Sequence, residues 1–126
     1  MEKFRNKTVL IVDDEKNNVF ALGSYLETMD MKIVSAANGA EAIEMMEKEP
    51  KPDIVLMDMM MPVMDGYEAL EIMKRRYELK DIPVIAVTAR AMKGDQERCL
   101  AAGAWDYISK PVDIKLLIEK ISCWIA

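Results

Sequence analysis

Five short apolar runs recur along this chain: "TVLIV" (8–12), "KIVSA" (32–36), "IVLMD" (54–58), "PVIAVT" (83–88) and "DYIS" (106–109). Each is too short for a stable helix, and most are rich in β-branched residues, which marks them as strands. Between them the apolar spacing changes to threes and fours. Val19, Leu22, Leu26 and Met29 share one helical face, as do Ala40, Ile43 and Met46, and then Tyr67, Leu70, Met73 and Tyr77. Pro50 and Pro52 stop the second helix, and Gly103 is placed to end the fourth. Asp113 can cap a last helix that buries Ile114, Leu117, Ile118 and Ile121. Strands this apolar are buried on both faces, which calls for a parallel sheet with helices packed on each side. The expected fold is α/β, a doubly wound five-stranded parallel sheet with five helices, in one domain over residues 1–126.

Composition narrows the function. The chain has 126 residues, and 52% hydrophobic content is ample for one core. Seventeen Lys and Arg against 22 Asp and Glu give a net charge of −5, the wrong sign for gripping nucleic acid through its phosphates. No apolar stretch reaches the length of a membrane span, and "MEKFRNKTVLIVDD" contains no signal-peptide core. A cytoplasmic protein is expected, with no direct nucleic-acid or membrane partner. Cys99 and Cys123 lie in separate helical patterns without metal-ligand spacing and read as packing thiols. Histidine is absent, which removes the commonest general base and any phosphohistidine formed on this chain.

In a doubly wound sheet the ligand crevice lies beyond the carboxyl ends of the strands, where the strand order reverses. The first strand ends in Asp13, Asp14 and Glu15, the third in Asp58 and the fourth in Thr88, while Lys110 and Pro111 follow the fifth. Carboxylates gathered at one edge repel unless a cation sits among them, and hard oxygen ligands suit Mg²⁺. Asp13, Asp14 and Asp58 supply such a site. A carboxylate there can also act as a nucleophile and form an aspartyl phosphate. Lys110 then offers a charge to a phosphoryl oxygen, Thr88 a hydroxyl, and the amides after Asp58 and Thr88 complete a cradle.

With "VDDE", "MDMMMPVMDG", "VTA" and "GAWDYISKP" in this order and spacing, the chain resembles the receiver domain of two-component response regulators over nearly its whole length. The resemblance implies a flavodoxin-like (βα)5 fold with strand order 2-1-3-4-5. It also implies Asp58 as phosphoryl acceptor and a Mg²⁺ site from Asp13, Asp14, Asp58 and the backbone carbonyl of Met60. Thr88 and Lys110 become the phosphate-sensing hydroxyl and lysine, and Tyr107 the aromatic whose rotation accompanies activation. Met60 and Arg90 tune the dephosphorylation rate, and a cis peptide before Pro111 positions Lys110. The implied donor is a phosphohistidine on a sensor kinase or a histidine phosphotransfer protein. A downstream protein is implied at the face formed by the fourth helix, fifth strand and fifth helix. Such a chain assists its own phosphorylation and slow dephosphorylation but is not a turnover enzyme. It is either a stand-alone regulator or part of a hybrid histidine kinase.

Each residue also has a simpler explanation when taken alone. Acids after a strand commonly form a solvated turn or an N-cap. Thr88 fits any strand, Lys110 any surface, and Tyr107 packing alone. Asp58 resists this treatment, because an unpaired charge closing a buried strand is costly. Met57, Met59, Met60, Met61 and Met64 contain the donors of a soft Cu(I) site, but strand alternation splays them, and flexible packing explains them better. Trp105 stands where the family commonly carries a small or polar residue; it either extends an aromatic surface beside Tyr107 or tucks against the adjoining helix. Trp124 packs the last helix or lies on an interface.

Two other classes use similar residues. A Mg²⁺-dependent aspartyl-phosphate phosphatase of the haloacid dehalogenase type opens its nucleophile motif on the first strand and places its acidic pair late, the reverse of the order here; "DMMM" also lacks the second Asp. A binding module without phosphotransfer would not need the acidic, Thr and Lys positions together.

Overall fold

The computed structural model describes residues 4–61, 63–89 and 93–125, the side chain of residue 93 excepted. The strands are β1 (Thr8–Val12), β2 (Lys32–Ala36), β3 (Ile54–Asp58), β4 (Val84–Thr88) and β5 (Asp106–Ser109). They alternate with α1 (Lys16–Glu27), α2 (Gly39–Glu47), α3 (Gly66–Arg75), α4 (Lys93–Ala102) and α5 (Ile114–Ile125). All pairings are parallel, in the order β2-β1-β3-β4-β5. The expected fold is the observed one.

Side-chain alternation divides the core in two. Leu10, Val12, Val55, Met57, Val84 and Ala86 face Ala42 and Met46 of α2, Leu70 and Met73 of α3 and Cys99 of α4. Val9, Ile11, Ile54, Leu56, Ile85 and Val87 face the other way, onto Leu26 of α1 and Leu117 and Ile121 of α5. Both sets are buried, which is why β1, β3 and β4 read as unbroken apolar runs. The edge strands β2 and β5 are only partly covered, and polar residues fall at their open positions. Each buried Leu, Ile or Met side chain contributes about 1.5–3 kcal/mol.

Local signals set most helix limits. The Asn38 carboxamide accepts the Glu41 amide at 3.0 Å to start α2, and Asp65 forms a capping box with Glu68 to start α3. Asp113 accepts the Leu116 amide at 3.3 Å at the start of α5. Gly103, at φ +120°, ends α4. Three sequence expectations shift. Met29 lies in the turn beyond the end of α1 at Glu27, although it is buried as its spacing implied. Tyr77 lies outside α3: the backbone at Arg76 turns extended, and Tyr77 sits 83% exposed under the Lys80 ammonium while Leu79 takes the buried position. Strand β4 begins at Val84, and Pro83 contributes only its carbonyl, which accepts the Val55 amide at 2.9 Å.

Candidate functional site

The strand order reverses between β1 and β3, which places the ends of these two strands side by side, with β4 next to β3. Here the backbone leaves the sheet and its polar termini meet the residues of the following loops. Oxygens of Asp13, Asp14 and Asp58 lie within 4.8 Å of one another. Asp13 and Asp58 are buried, whereas Asp14 is exposed. Asp13 is oriented by the Glu15 amide at 2.9 Å and the Asn18 carboxamide at 3.4 Å. The Asp58 carboxylate accepts the Met60 amide at 3.1 Å and the Lys110 ammonium at 3.3 Å. That ammonium is shared, since Asp13 stands 3.9 Å from it.

Burial pushes the Asp58 carboxyl above its ordinary value of 3.8. The Met60 amide and the Lys110 charge pull it down, and the Asp13 charge pushes it up again. Among the described residues, one shared cation therefore leaves the two buried carboxylates undercompensated. A further hard cation fits this donor set of three carboxylates.

Thr88 is 3% exposed at the end of β4, one residue beyond the partner of Asp58. Its carbonyl accepts the Lys110 amide at 2.7 Å, tying the Lys110 segment to β4. The Lys110–Pro111 peptide is cis, as expected. Met60 is 62% exposed, next to Asp58. Arg90 lies outside the described residues. Tyr107, opposite Ala86 in β5, is half-buried against the core shared with α3 and α4. Thus Asp13, Asp14, Asp58 and Lys110 converge directly, Thr88 and Met60 flank them, and Tyr107 stands further along the sheet.

The chain matches the response regulator receiver domain family over residues 9–122. It belongs to that family. Among relatives of this receiver domain, the polar-differentiation response regulator DivK of Brucella anthropi is 40% identical over 119 residues, covering 94% of this chain and 96% of DivK. A receiver domain of a Pseudomonas aeruginosa sensor histidine kinase, solved with a magnesium ion coordinated in its active-site cleft, is 33% identical. Its TM-score is 0.86, with 94% of this chain and 97% of that one covered. The receiver domain of a Saccharomyces cerevisiae response regulator, solved with a histidine phosphotransfer protein, is 31% identical with a TM-score of 0.86. That match covers 97% of this chain and 90% of the other. The chain is thus a receiver domain of two-component signalling, and no helix among its described residues is long and apolar enough to cross a membrane.

The methionine-rich loop resolves into packing. Met57 and Met59 are fully buried and join Met61 in one core, with Met64 against it, while Met60 faces outward. Trp105 precedes β5, so strand alternation does not govern it. It packs edge-on against Trp124 of α5, with centroids 5.2 Å apart, and stays 36% exposed. The contact is the one the adjoining-helix alternative describes, and both rings also stay exposed as the aromatic-surface alternative expects. Sequence reasoning missed Asp106, which accepts the Lys120 ammonium at 2.8 Å, the Tyr107 amide at 2.8 Å and the Trp124 indole at 3.3 Å. No sequence motif joins positions 14 and 18 residues apart across a strand and a helix. Cys99 is buried and Cys123 exposed, and both are free thiols.

Proposed function

We propose that this chain, as a single receiver domain over residues 1–126, is a phosphorylation-dependent switch that takes a phosphoryl group onto Asp58. The observation that carries the reading is the convergence of three carboxylates within 4.8 Å, with the Lys110 ammonium 3.3 Å from Asp58. Asp13, Asp14, Asp58 and the Met60 carbonyl would hold Mg²⁺. Bound there, the ion supplies charge neutralisation for the approach of an anionic phosphoryl group to a carboxylate.

An Asp58 oxygen attacks the phosphorus of a phosphohistidine on a sensor kinase or histidine phosphotransfer protein. The P–N bond breaks, and its electron pair stays on the imidazole nitrogen, which takes up a proton. Asp58 then carries an acyl phosphate. Lys110 moves its charge toward the new phosphoryl oxygens, and Thr88 donates its hydroxyl to one of them. The shift of Thr88 makes room for Tyr107 to turn inward, and the α4–β5–α5 surface changes for a downstream protein partner. Met60 and Arg90 set the rate at which water removes the phosphoryl group. The chain acts in the cytoplasm, without membrane or nucleic-acid contact, and as a relay rather than a turnover enzyme.

Intact mass after incubation with Mg²⁺ and a small acyl-phosphate donor tests this. One base-labile phosphate adduct is expected on the wild type and none on Asp58→Ala. An adduct of equal yield on the variant would overturn the assignment.

A further inference from the structure

The loop from Met59 to Gly66 carries the amide that orients Asp58 and the carbonyl that would bind the metal. It is closed at its base, where the Gly66 amide reaches the Met59 carbonyl at 3.4 Å. Val63 stands at φ +70° and is 84% exposed. A β-branched residue in this left-handed region is strained, and so exposed a side chain has little packing to hold it there. Met61 and Met64 on either side of it pack on the core, and a backbone contact adds to that hold.

That contact comes from a different element. The Gly39 amide, at the start of α2, donates to the Met64 carbonyl at 2.9 Å. A Cβ built on Gly39 would lie 2.8 Å from Met64 Cγ, 2.9 Å from the Met64 carbonyl oxygen and 3.1 Å from the Ala69 Cβ. Neither the backbone oxygen nor the Ala69 methyl has a flexible chain that can swing aside. The close approach therefore requires glycine, although nothing in the backbone angles of Gly39 does.

We infer that Gly39 is a positioning residue for phosphoryl acceptance. By letting the α2 N-terminus clamp the Met64 carbonyl, it holds the strained Val63 turn and fixes Met60 beside Asp58. This rests on the assignment of Asp58 as acceptor. Two distinct pushes act on the loop when a side chain is added at Gly39, one on Met64's side chain and one on its backbone. Only the second is essential to the clamp.

The test compares wild type with Gly39→Ala, Met64→Ala and the double variant, each first shown to unfold cooperatively. Three quantities are read: the Met60 amide resonance in metal-free protein, the Mg²⁺ dissociation constant, and the rate of phosphate uptake from a small acyl-phosphate donor. Gly39→Ala is expected to move the Met60 resonance toward a solvent-exposed position. It should also weaken Mg²⁺ and slow uptake, each about tenfold, the size of a lost supporting contact at a metal site. Met64→Ala should stay close to wild type, and the double variant should remain as defective as Gly39→Ala. A wild-type Met60 resonance and Mg²⁺ affinity in Gly39→Ala, or their recovery in the double variant, would overturn the clamp.

Should Gly39→Ala fail to fold, Asn38→Ala takes its place. It frays the α2 N-terminus by removing the Asn38–Glu41 cap, and a smaller shift of the same readouts is expected; unchanged readouts would overturn the proposal. If wild type takes up no phosphate while the Met60 resonance responds as described, the acceptor assignment fails and the clamp stands.

Discussion

Asp58 and Asp106 stand at opposite ends of their strands, one closing β3 and the other opening β5, and each accepts a backbone amide and a lysine ammonium. Their carboxyl groups are nonetheless driven apart. Burial raises Asp58, and the one ammonium it meets among the described residues is divided with Asp13, so the carboxyl stays above its ordinary value. Burial acts on Asp106 as well, but the Lys120 bond, the Tyr107 amide, the Lys120 charge and the Trp124 indole together outweigh it and hold the carboxyl low. The Asp106 bonds to Tyr107 and Lys120 are also shorter, both 2.8 Å against 3.1 and 3.3 Å at Asp58. One carboxylate is fully partnered and fastens α5 to β5. The other has, among the described residues, only a shared ammonium, the state in which it gains most from a metal ion and remains available to react.

Removing the partnered group should have the largest effect on stability. Asp106→Ala strands an ammonium whose side chain is only 22% exposed and leaves the Trp124 indole without its acceptor. A loss of about 2–3 kcal/mol is expected, measured as a lower urea midpoint at an unchanged slope. A loss near zero would mean that the Asp106 cluster is incidental. The opposite sign is expected at Asp58. Without metal, Asp58→Asn should stabilise the fold at pH 7 by roughly 1 kcal/mol, because the amide keeps the Met60 bond without the buried charge. Mg²⁺ should then raise the melting temperature of wild type and leave that of Asp58→Asn almost unmoved.

Acid should sharpen the contrast. A raised folded-state pKa gives a stability contribution that is present at low pH and lost as pH rises through that value. The metal-free deficit of wild type against Asp58→Asn should therefore shrink as pH falls from 7 through the Asp58 titration toward 3.8. Asp106 has a lowered pKa, so its contribution is full above 3.8 and disappears only as pH drops below it. Parallel denaturation series of wild type, Asp58→Asn and Asp106→Asn separate the two. A smaller effect than at Asp106 is expected from Trp124→Leu, which removes the edge-on contact with Trp105 and the indole bond to Asp106 but leaves the Asp106–Lys120 pair. It should cost about 0.5–1.5 kcal/mol, read from the thermal midpoint.

The reactive edge was legible in the sequence because its residues terminate strands. The unbroken apolar runs of β1, β3 and β4 mark their own ends, so Asp13, Asp58 and Thr88 fall at one edge on the sequence pattern alone. The caps at Asp65 and Asp113 lie within a turn of what they cap, and Asp113 could be read directly. The Asp106 cluster could not, since Lys120 and Trp124 reach it from a helix whose rotation depends on packing over the whole sheet. Tyr77 kept the helical period past the point where Arg76 turns extended, so spacing alone misplaced it. Gly39 gave no signal beyond an ordinary helix start, because its role depends on a loop 25 residues away in the chain.

The most direct measurement is an NMR titration of the side-chain carboxyl carbons of Asp58 and Asp106 in the metal-free protein. Asp58 should titrate above 3.8 and Asp106 below it, and Mg²⁺ should shift the Asp58 midpoint downward while leaving Asp106 in place. Equal midpoints, or Asp58 below Asp106, would contradict the view that this fold satisfies one carboxylate for stability and withholds charge from the other for chemistry.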